Sequence, residues 1–288
     1  MTASDLPFQN VAVLGAGTMG AGIAQVCAQA GAQVVLQDLK TEFTDKGRAR
    51  IADFLQKGVD KGKVEPAARD ATLARVRTTT DRKDACQGAD LVIEAVPEDL
   101  ALKQGVFREL AAICRPDCVL ASNTSSLALG KVFAGIAEPG RCIGMHFFNP
   151  VPLMKLLELV RTSATSQPTI DRVTAFARAL GKEPILVVDS PGFASSRLGV
   201  CLGLEAIRMV EAGVASPEDI DKAMVLGYGH PMGPLKLTDL VGLDVRMAIA
   251  DYLRKELDHP GFEVPELMRR MVAEGKLGKK SGQGFYAW

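Results

Sequence analysis

The sequence predicts an α/β fold, a doubly wound sheet followed by an all-helical C-terminal domain. Three observations predict it. Short β-branched runs alternate with helical patterns up to about residue 190, most of those runs are continuously apolar, and beyond them the strand pattern stops. Continuous rather than alternating apolar strands are expected where crossover helices cover both faces of a parallel sheet. At 288 residues the chain exceeds a comfortable single core, so two domains are expected, 1–190 and 191–288.

The strands are read at "VAVLG" from Val11, "QVVLQD" from Gln33, "DLVIEAV" from Asp90, "CVLASNT" from Cys118, "RCIGMHF" from Arg141, "LLELV" from Leu156 and "ILVVD" from Ile185. The interval Glu42–Ala74 is too long for an ordinary crossover, and "KGVDKGKV" within it suggests a helix–turn–helix excursion that reaches over a ligand. After "DSPGF" a helix is expected from about Ala194 to Glu211, with Gly213 as a left-handed cap. The next begins with Ser216 as N-cap, Pro217 at the first helical position, and Glu218 and Asp219 near the positive end of the dipole. Further helices fit Pro234–Val241, Leu243–Leu257 and Pro265–Glu274, before a Gly-punctuated tail.

Composition narrows the function. Lys plus Arg and Asp plus Glu both total 34, which leaves no global field to recruit nucleic acid or an anionic membrane. An acidic ligand must be held locally. The start of the chain, "MTASDLPFQN", shows no basic segment leading into an apolar run, and no later stretch has the length of a membrane span, so a cytoplasmic protein is expected. Cys27, Cys86, Cys114, Cys118, Cys142 and Cys201 are scattered without disulfide-scaffold density or zinc spacing. Cys114 and Cys118 could share a helical face, but two thiols make no metal site; reduced, buried cysteines and no metal are expected.

The first chemical motif is "VAVLGAGTMGAGIAQVCAQAGAQVVLQD", in which Gly15, Gly17 and Gly20 form a GxGxxG between a strand and a helix. The first glycine permits the tight turn, the second lets backbone approach a pyrophosphate, and the third lets helix pack on strand. With Thr18 and Met19 they bring the helix N-terminus to the phosphates. Asp38 follows 18 residues after Gly20. Its carboxylate accepts both hydroxyls of the adenosine ribose and repels a 2′-phosphate, so a Rossmann-type domain binding NAD rather than NADP is expected. FAD proteins share the motif, but no second flavin feature is visible.

The second is "RCIGMHFFNPVPLMKLLELV", residues 141–160, an apolar stretch that carries His146 and Glu158. "NPVP" must break the strand, since its prolines resist ladder bonding. If the flanking strands lie side by side about this turn, positions near 146 and 158 come opposite each other. A buried Glu is costly unless paired, and a His–Glu dyad would leave one ring nitrogen to take a proton from an alcohol. The plainer reading is a core histidine satisfied by a carbonyl and a glutamate at a frayed edge. "ASNTSSLALG" adds Asn123, Thr124, Ser125 and Ser126 at another strand end, either as an ordinary helix cap or as donors to cofactor and substrate. "EAVPEDLALK", 94–103, likewise follows a strand and reads either as a plain loop and helix start or as part of the same polar edge.

With these segments, and with "DSPGF", "GYGHPMGPLKLTDLVGLD" and "GKKSGQGFY" in order along nearly the whole chain, the sequence resembles the 3-hydroxyacyl-CoA dehydrogenases, most of all the bacterial 3-hydroxybutyryl-CoA dehydrogenases. The resemblance implies NAD, an acyl-CoA substrate with a 3-hydroxyl or 3-keto group, and a homodimer formed through the C-terminal helices. It assigns His146 as general acid/base, Glu158 as the carboxylate that orients it, and Ser125 as a donor to the reacting oxygen. It places Glu98, Lys103, Asn149 and Lys280, with Asn123, at the dinucleotide, and Lys61 loosely near CoA. Phe54 stands where the family has a small polar contact. Ser196, in "PGFASSRL", replaces an asparagine that helps bind the substrate carbonyl. Its hydroxyl either serves that substrate with a shorter reach, or Ser195 or Ser196 simply caps the following helix.

Overall fold

The computed structural model describes residues 6–288, and the first five, read above for leader signals, lie outside the described residues. The chain divides into two compact units between Ser190 and Pro191.

In the first unit the apolar runs become β1 (Asn10–Leu14), β2 (Gln33–Gln37), β3 (Val76–Thr79), β4 (Leu91–Glu94), β5 (Val119–Ser122), β6 (Cys142–Phe147), β7 (Leu156–Arg161) and β8 (Glu183–Val188). The helices between them are α1 (Thr18–Gln29), α2 (Thr41–Asp60), α3 (Pro66–Ala74), α4 (Arg82–Cys86), α5 (Leu100–Ile113), α6 (Leu129–Val132) and α7 (Gln167–Ala179). The strands form one eight-stranded sheet in the order β3-β2-β1-β4-β5-β6-β7-β8. All neighbours are parallel except β6 and β7, which run antiparallel across the "NPVP" turn. The central strands β4, β5 and β6 are buried throughout, which is why their sequences show no alternation.

β3 is absent from the sequence reading. Its "VRTT" carries one apolar residue, and only the pairing Val34↔Val76 reveals it as an edge strand. The core beneath the sheet joins Val13, Leu36, Ile93 and Met145 to Ile23 and Cys27 of α1 and Phe176 of α7. Phe176 meets Phe8 edge to face at 5.2 Å between centroids, a geometry that adds about 1 kcal/mol beyond area burial. The long excursion is α2 and α3, joined by a short turn.

The second unit consists of α8 (Ser195–Glu211), α9 (Pro217–Lys222), α10 (Pro234–Val241), α11 (Leu243–Leu257) and α12 (Glu266–Ala273), packed around Leu204, Ile207, Leu235, Leu253 and Met268. Ser216 Oγ accepts the Asp219 N–H at 3.1 Å, the capping geometry its sequence calls for. Fully buried Asp239 accepts the N–H groups of Phe285 and Tyr286, each at 2.9 Å, and Trp288 Nε1 at 3.0 Å, which anchors the tail. Among the described residues no helix is long and apolar enough to cross a membrane, and no cluster of His, Cys, Asp and Glu could hold a metal ion. The six cysteines are free thiols, with Cys201 half-buried and the others buried. Cys114 ends α5 and Cys118 lies in the following loop, so the two share no helical face; the helix stops where the chain turns into β5.

Candidate active site

The glycines of the first loop have separate steric reasons. Gly15 adopts φ +96°, and a Cβ there would lie 2.6 Å from the Ala95 carbonyl oxygen. A Cβ on Gly20 would fall 1.7 Å from the Gly15 carbonyl oxygen, so α1 packs on β1 only with glycine there. At Gly17 a Cβ would meet nothing within 4 Å. That open side faces a cavity of about 720 Å³ bounded by Gly15, Gly17, Thr18, Met19 and Asp38. Gly17 is also the N-cap of α1 and brings no capping side chain, so the first-turn N–H groups are available to an anion.

Asp38 directly follows β2, beside this loop. Its Oδ2 accepts the Ala16 N–H and its Oδ1 the Leu39 N–H, both at 2.7 Å. The carboxylate thus braces the loop as well as presenting lone pairs to the cavity. Backbone donors for a diphosphate, space where a methyl would intrude, and a carboxylate for a ribose diol together fit NAD.

From this loop a continuous hydrogen-bonded path runs along the carboxyl ends of the strands. Glu94, wholly buried at the end of β4, accepts Lys103 Nζ at 2.6 Å and the Val96 N–H at 2.8 Å on Oε1, and Ser122 Oγ at 2.7 Å on Oε2. Asn123 donates its N–H to the Glu94 carbonyl at 2.8 Å, and its Oδ1 accepts the Phe147 N–H at 2.9 Å, which ties the end of β5 to the residue after His146. Glu98 Oε1 accepts Thr124 Oγ1 at 2.6 Å, the Ser125 N–H at 3.0 Å and Ser125 Oγ at 3.3 Å, and Lys103 lies 3.3 Å from its other oxygen. Burial acts to raise the Glu98 carboxyl, but the Lys103 charge and the bonds from Thr124 and Ser125 outweigh it and hold the group below the usual range. The 123–126 cluster does not cap a helix: the N-cap of α6 is Ala128, and Thr124 Oγ1 closes a local turn onto the Leu127 N–H at 3.1 Å.

The antiparallel register sets His146 directly opposite Glu158. Glu158 has no exposed surface and His146 is 6% exposed, and Nδ1 to Oε2 is 2.7 Å. A buried carboxylate with an imidazole at this distance can stabilise the protonated ring and fix the tautomer in which Nε2 exchanges protons.

Within the first unit, Asn149 and Lys61 are outside that hydrogen-bonded line. Asn149 lines a smaller cavity of about 260 Å³ between α1, α2 and the 149–152 turn, together with Arg50, Phe54 and Lys57. Lys61 is exposed at the end of α2 and does not line it. In the second unit, Lys280 pairs with Asp244 at 2.6 Å. Ser196 is the second residue of α8, whose N-cap is Ala194 with no side-chain capping bond; neither Ser195 nor Ser196 caps the helix, because the chain enters it one residue earlier.

Against known proteins, residues 10–190 match the model of the 3-hydroxyacyl-CoA dehydrogenase NAD binding domain, and residues 192–288 match that of the C-terminal domain. The chain belongs to the 3-hydroxyacyl-CoA dehydrogenase family. It is 48% identical over 283 residues to a 3-hydroxybutyryl-CoA dehydrogenase of Mycobacterium tuberculosis, covering 98% of this chain and 99% of that one. A crystal structure of (S)-3-hydroxybutyryl-CoA dehydrogenase PaaH1 from Ralstonia eutropha superposes with a TM-score of 0.93 at 42% identity, covering 98% and 99% of the two chains. A diketoreductase studied with dicarbonyl compounds gives a TM-score of 0.85 at 31% identity, again over 98% and 99%. Within this family chain, Glu94 and the hold of Glu98 on Ser125 escaped the sequence reading. A glutamate closing an otherwise apolar strand was the signal for the first; nothing local signalled the second.

Proposed function

We propose that the protein interconverts short-chain (S)-3-hydroxyacyl-CoA and 3-ketoacyl-CoA, with 3-hydroxybutyryl-CoA and acetoacetyl-CoA as its pair, using NAD. The observation that carries this reading is the buried His146–Glu158 pair at the end of β6, opposed in register and 2.7 Å apart. The dinucleotide supplies the hydride acceptor when bound, cradled by Gly15, Gly17, Thr18, Met19 and Gly20 and selected for NAD by Asp38. His146 takes the C3 hydroxyl proton at Nε2 in oxidation and returns it in reduction, and Glu158 carries the countercharge. Ser125, held in place by Glu98, donates to the C3 oxygen, where negative charge develops. Ser196 lies in the first turn of α8 and is not its N-cap; it is assigned as a donor to the thioester or 3-keto oxygen. Lys61, at the end of α2, is assigned to CoA by resemblance alone. Lys103, Asn123, Asn149 and Lys280 are assigned to the dinucleotide. The 3-hydroxybutyryl-CoA dehydrogenases among the relatives support the substrate.

We further infer a homodimer formed through the helical unit, where Leu198, Leu226 and Tyr228 are 71%, 82% and 79% exposed, and a cytoplasmic setting, in which six thiols stay reduced. The diketoreductase resemblance raises a second reading, reduction of a free keto compound on the same scaffold. Loss of NADH absorbance with acetoacetyl-CoA but not with free acetoacetate supports the first. The reverse preference refutes it.

A further inference from the structure

The turn between the two dyad strands has an unusual support. Its sequence, "NPVPLMK", contains two prolines and so lacks two N–H donors. Internally only the Pro150 carbonyl is used, by the N–H groups of Leu153 at 2.9 Å and Met154 at 3.0 Å. The carbonyls of Val151 and Met154 are met from outside, by Lys182 Nζ, the second at 2.8 Å.

Lys182 lies between α7 and β8 and is 6% exposed. Its backbone is itself fixed, its N–H on the Ala177 carbonyl at 3.0 Å and the next N–H on the Lys155 carbonyl at 2.8 Å. Among the described residues no carboxylate acts on its ammonium, and burial lowers its pKa from the ordinary lysine value. The titratable group that acts on it is the Cys27 thiol of α1, which burial pushes up to about 12, so it stays neutral. A buried ammonium without a carboxylate is a costly way to fill space, and a methionine would fill it at lower cost. The arrangement is explained if the two charge-assisted bonds are what the position provides.

What they hold is close to the cofactor cradle. Val151 is 2% exposed, and a Cβ on Gly22 of α1 would lie 2.9 Å from Val151 Cβ. The turn is thus pressed onto the helix whose N-terminus bounds the larger cavity. We propose that Lys182 is a positioning residue for the reaction, its ammonium locking the 149–154 turn against α1 so that the dyad strands and Asn149 keep a fixed relation to the bound dinucleotide.

This inference rests on the acid/base reading of His146 and Glu158, and its test separates the two. Lys182→Met keeps length and removes the donor, and Lys182→Arg keeps charge and donors. For each, kcat and KM with acetoacetyl-CoA, NADH affinity by nucleotide fluorescence, and Tm are measured well below the melting range. Lys182→Met is expected to lose roughly ten- to a hundredfold in kcat, the usual consequence of a small misplacement of reacting groups, and to bind NADH several-fold more weakly. Lys182→Arg is expected to recover most of both. If Lys182→Met melts earlier yet keeps wild-type kcat and NADH affinity in its folded fraction, Lys182 is structural only and the proposal falls. Should that variant not fold, Lys182→Gln, which loses the charge and about one bond of reach but keeps an amide N–H donor group, is subject to the same criterion. Absence of acetoacetyl-CoA turnover in the unmodified protein would instead refute the reaction, and the NADH affinities would still report on the turn.

Discussion

Glu158→Gln is the sharpest probe of the proposed chemistry, because the substitution keeps shape while it removes the charge and exchanges one acceptor oxygen for an amide donor. Glu158 has no exposed surface and its Oε2 lies 2.7 Å from His146 Nδ1. A glutamine can still accept the Nδ1 hydrogen, so the ring keeps its orientation. What it cannot do is balance the imidazolium formed when Nε2 takes the substrate proton. For charge centres about 4 Å apart and an effective dielectric constant near 20, that balance amounts to about 4 kcal/mol. At about 1.4 kcal/mol per decade this predicts a loss of roughly three orders of magnitude in kcat. His146→Gln should lose about two to four orders. The assay is NADH oxidation with acetoacetyl-CoA over the accessible pH range, alongside NADH affinity, which should change little because the glycine cradle is untouched. Wild-type kcat in Glu158→Gln at every pH would show that the buried pair is structural.

The loop glycines should separate cleanly. Gly17→Ala should fold with a nearly unchanged Tm, since its Cβ meets nothing within 4 Å, but bind NADH far more weakly, whereas Gly20→Ala should fail to fold stably, since its Cβ would lie 1.7 Å from the Gly15 carbonyl oxygen. Normal NADH affinity in Gly17→Ala would move the diphosphate elsewhere. Asp38→Ala should weaken NADH binding and raise the relative use of NADPH, with a lower Tm from the lost brace on Ala16; equal use of both cofactors by the unmodified protein would contradict the assignment. Because the Glu98 carboxyl is held below its usual value, its contribution to stability is complete above the unfolded carboxyl value of about 4.3 and is lost as pH falls through the lower folded value. The Tm gap between wild type and Glu98→Gln should therefore be full at about pH 6 and close below about pH 4, and a constant gap would count against the ion-paired carboxylate. Ser196→Ala should leave Tm unchanged, as the residue caps nothing, and lower kcat/KM for acetoacetyl-CoA about five- to tenfold, the weight of one neutral hydrogen bond; unchanged kcat/KM would remove Ser196 from the substrate site.

Sequence alone determined the elements whose signals are local. Continuous apolar runs marked seven strands, Ser216 and Pro217 marked a helix start, and the spacing from Gly15 to Asp38 marked a dinucleotide loop, because helix period, capping and tight turns are each decided within a few residues. Tertiary structure decided whatever depended on partners distant in the chain. β3 exists because β2 offers an edge, not because "VRTT" favours a strand. His146 meets Glu158 only through the register across a proline-broken turn, where a slip of one residue would turn every side chain of β7 to the opposite face of the sheet. Glu94 finds Lys103 and Ser122, Glu98 takes hold of Ser125, and Lys182 reaches back to the carbonyls of Val151 and Met154. A buried charge must be satisfied somewhere, but only the strand order and register of the folded sheet decide which distant group satisfies it.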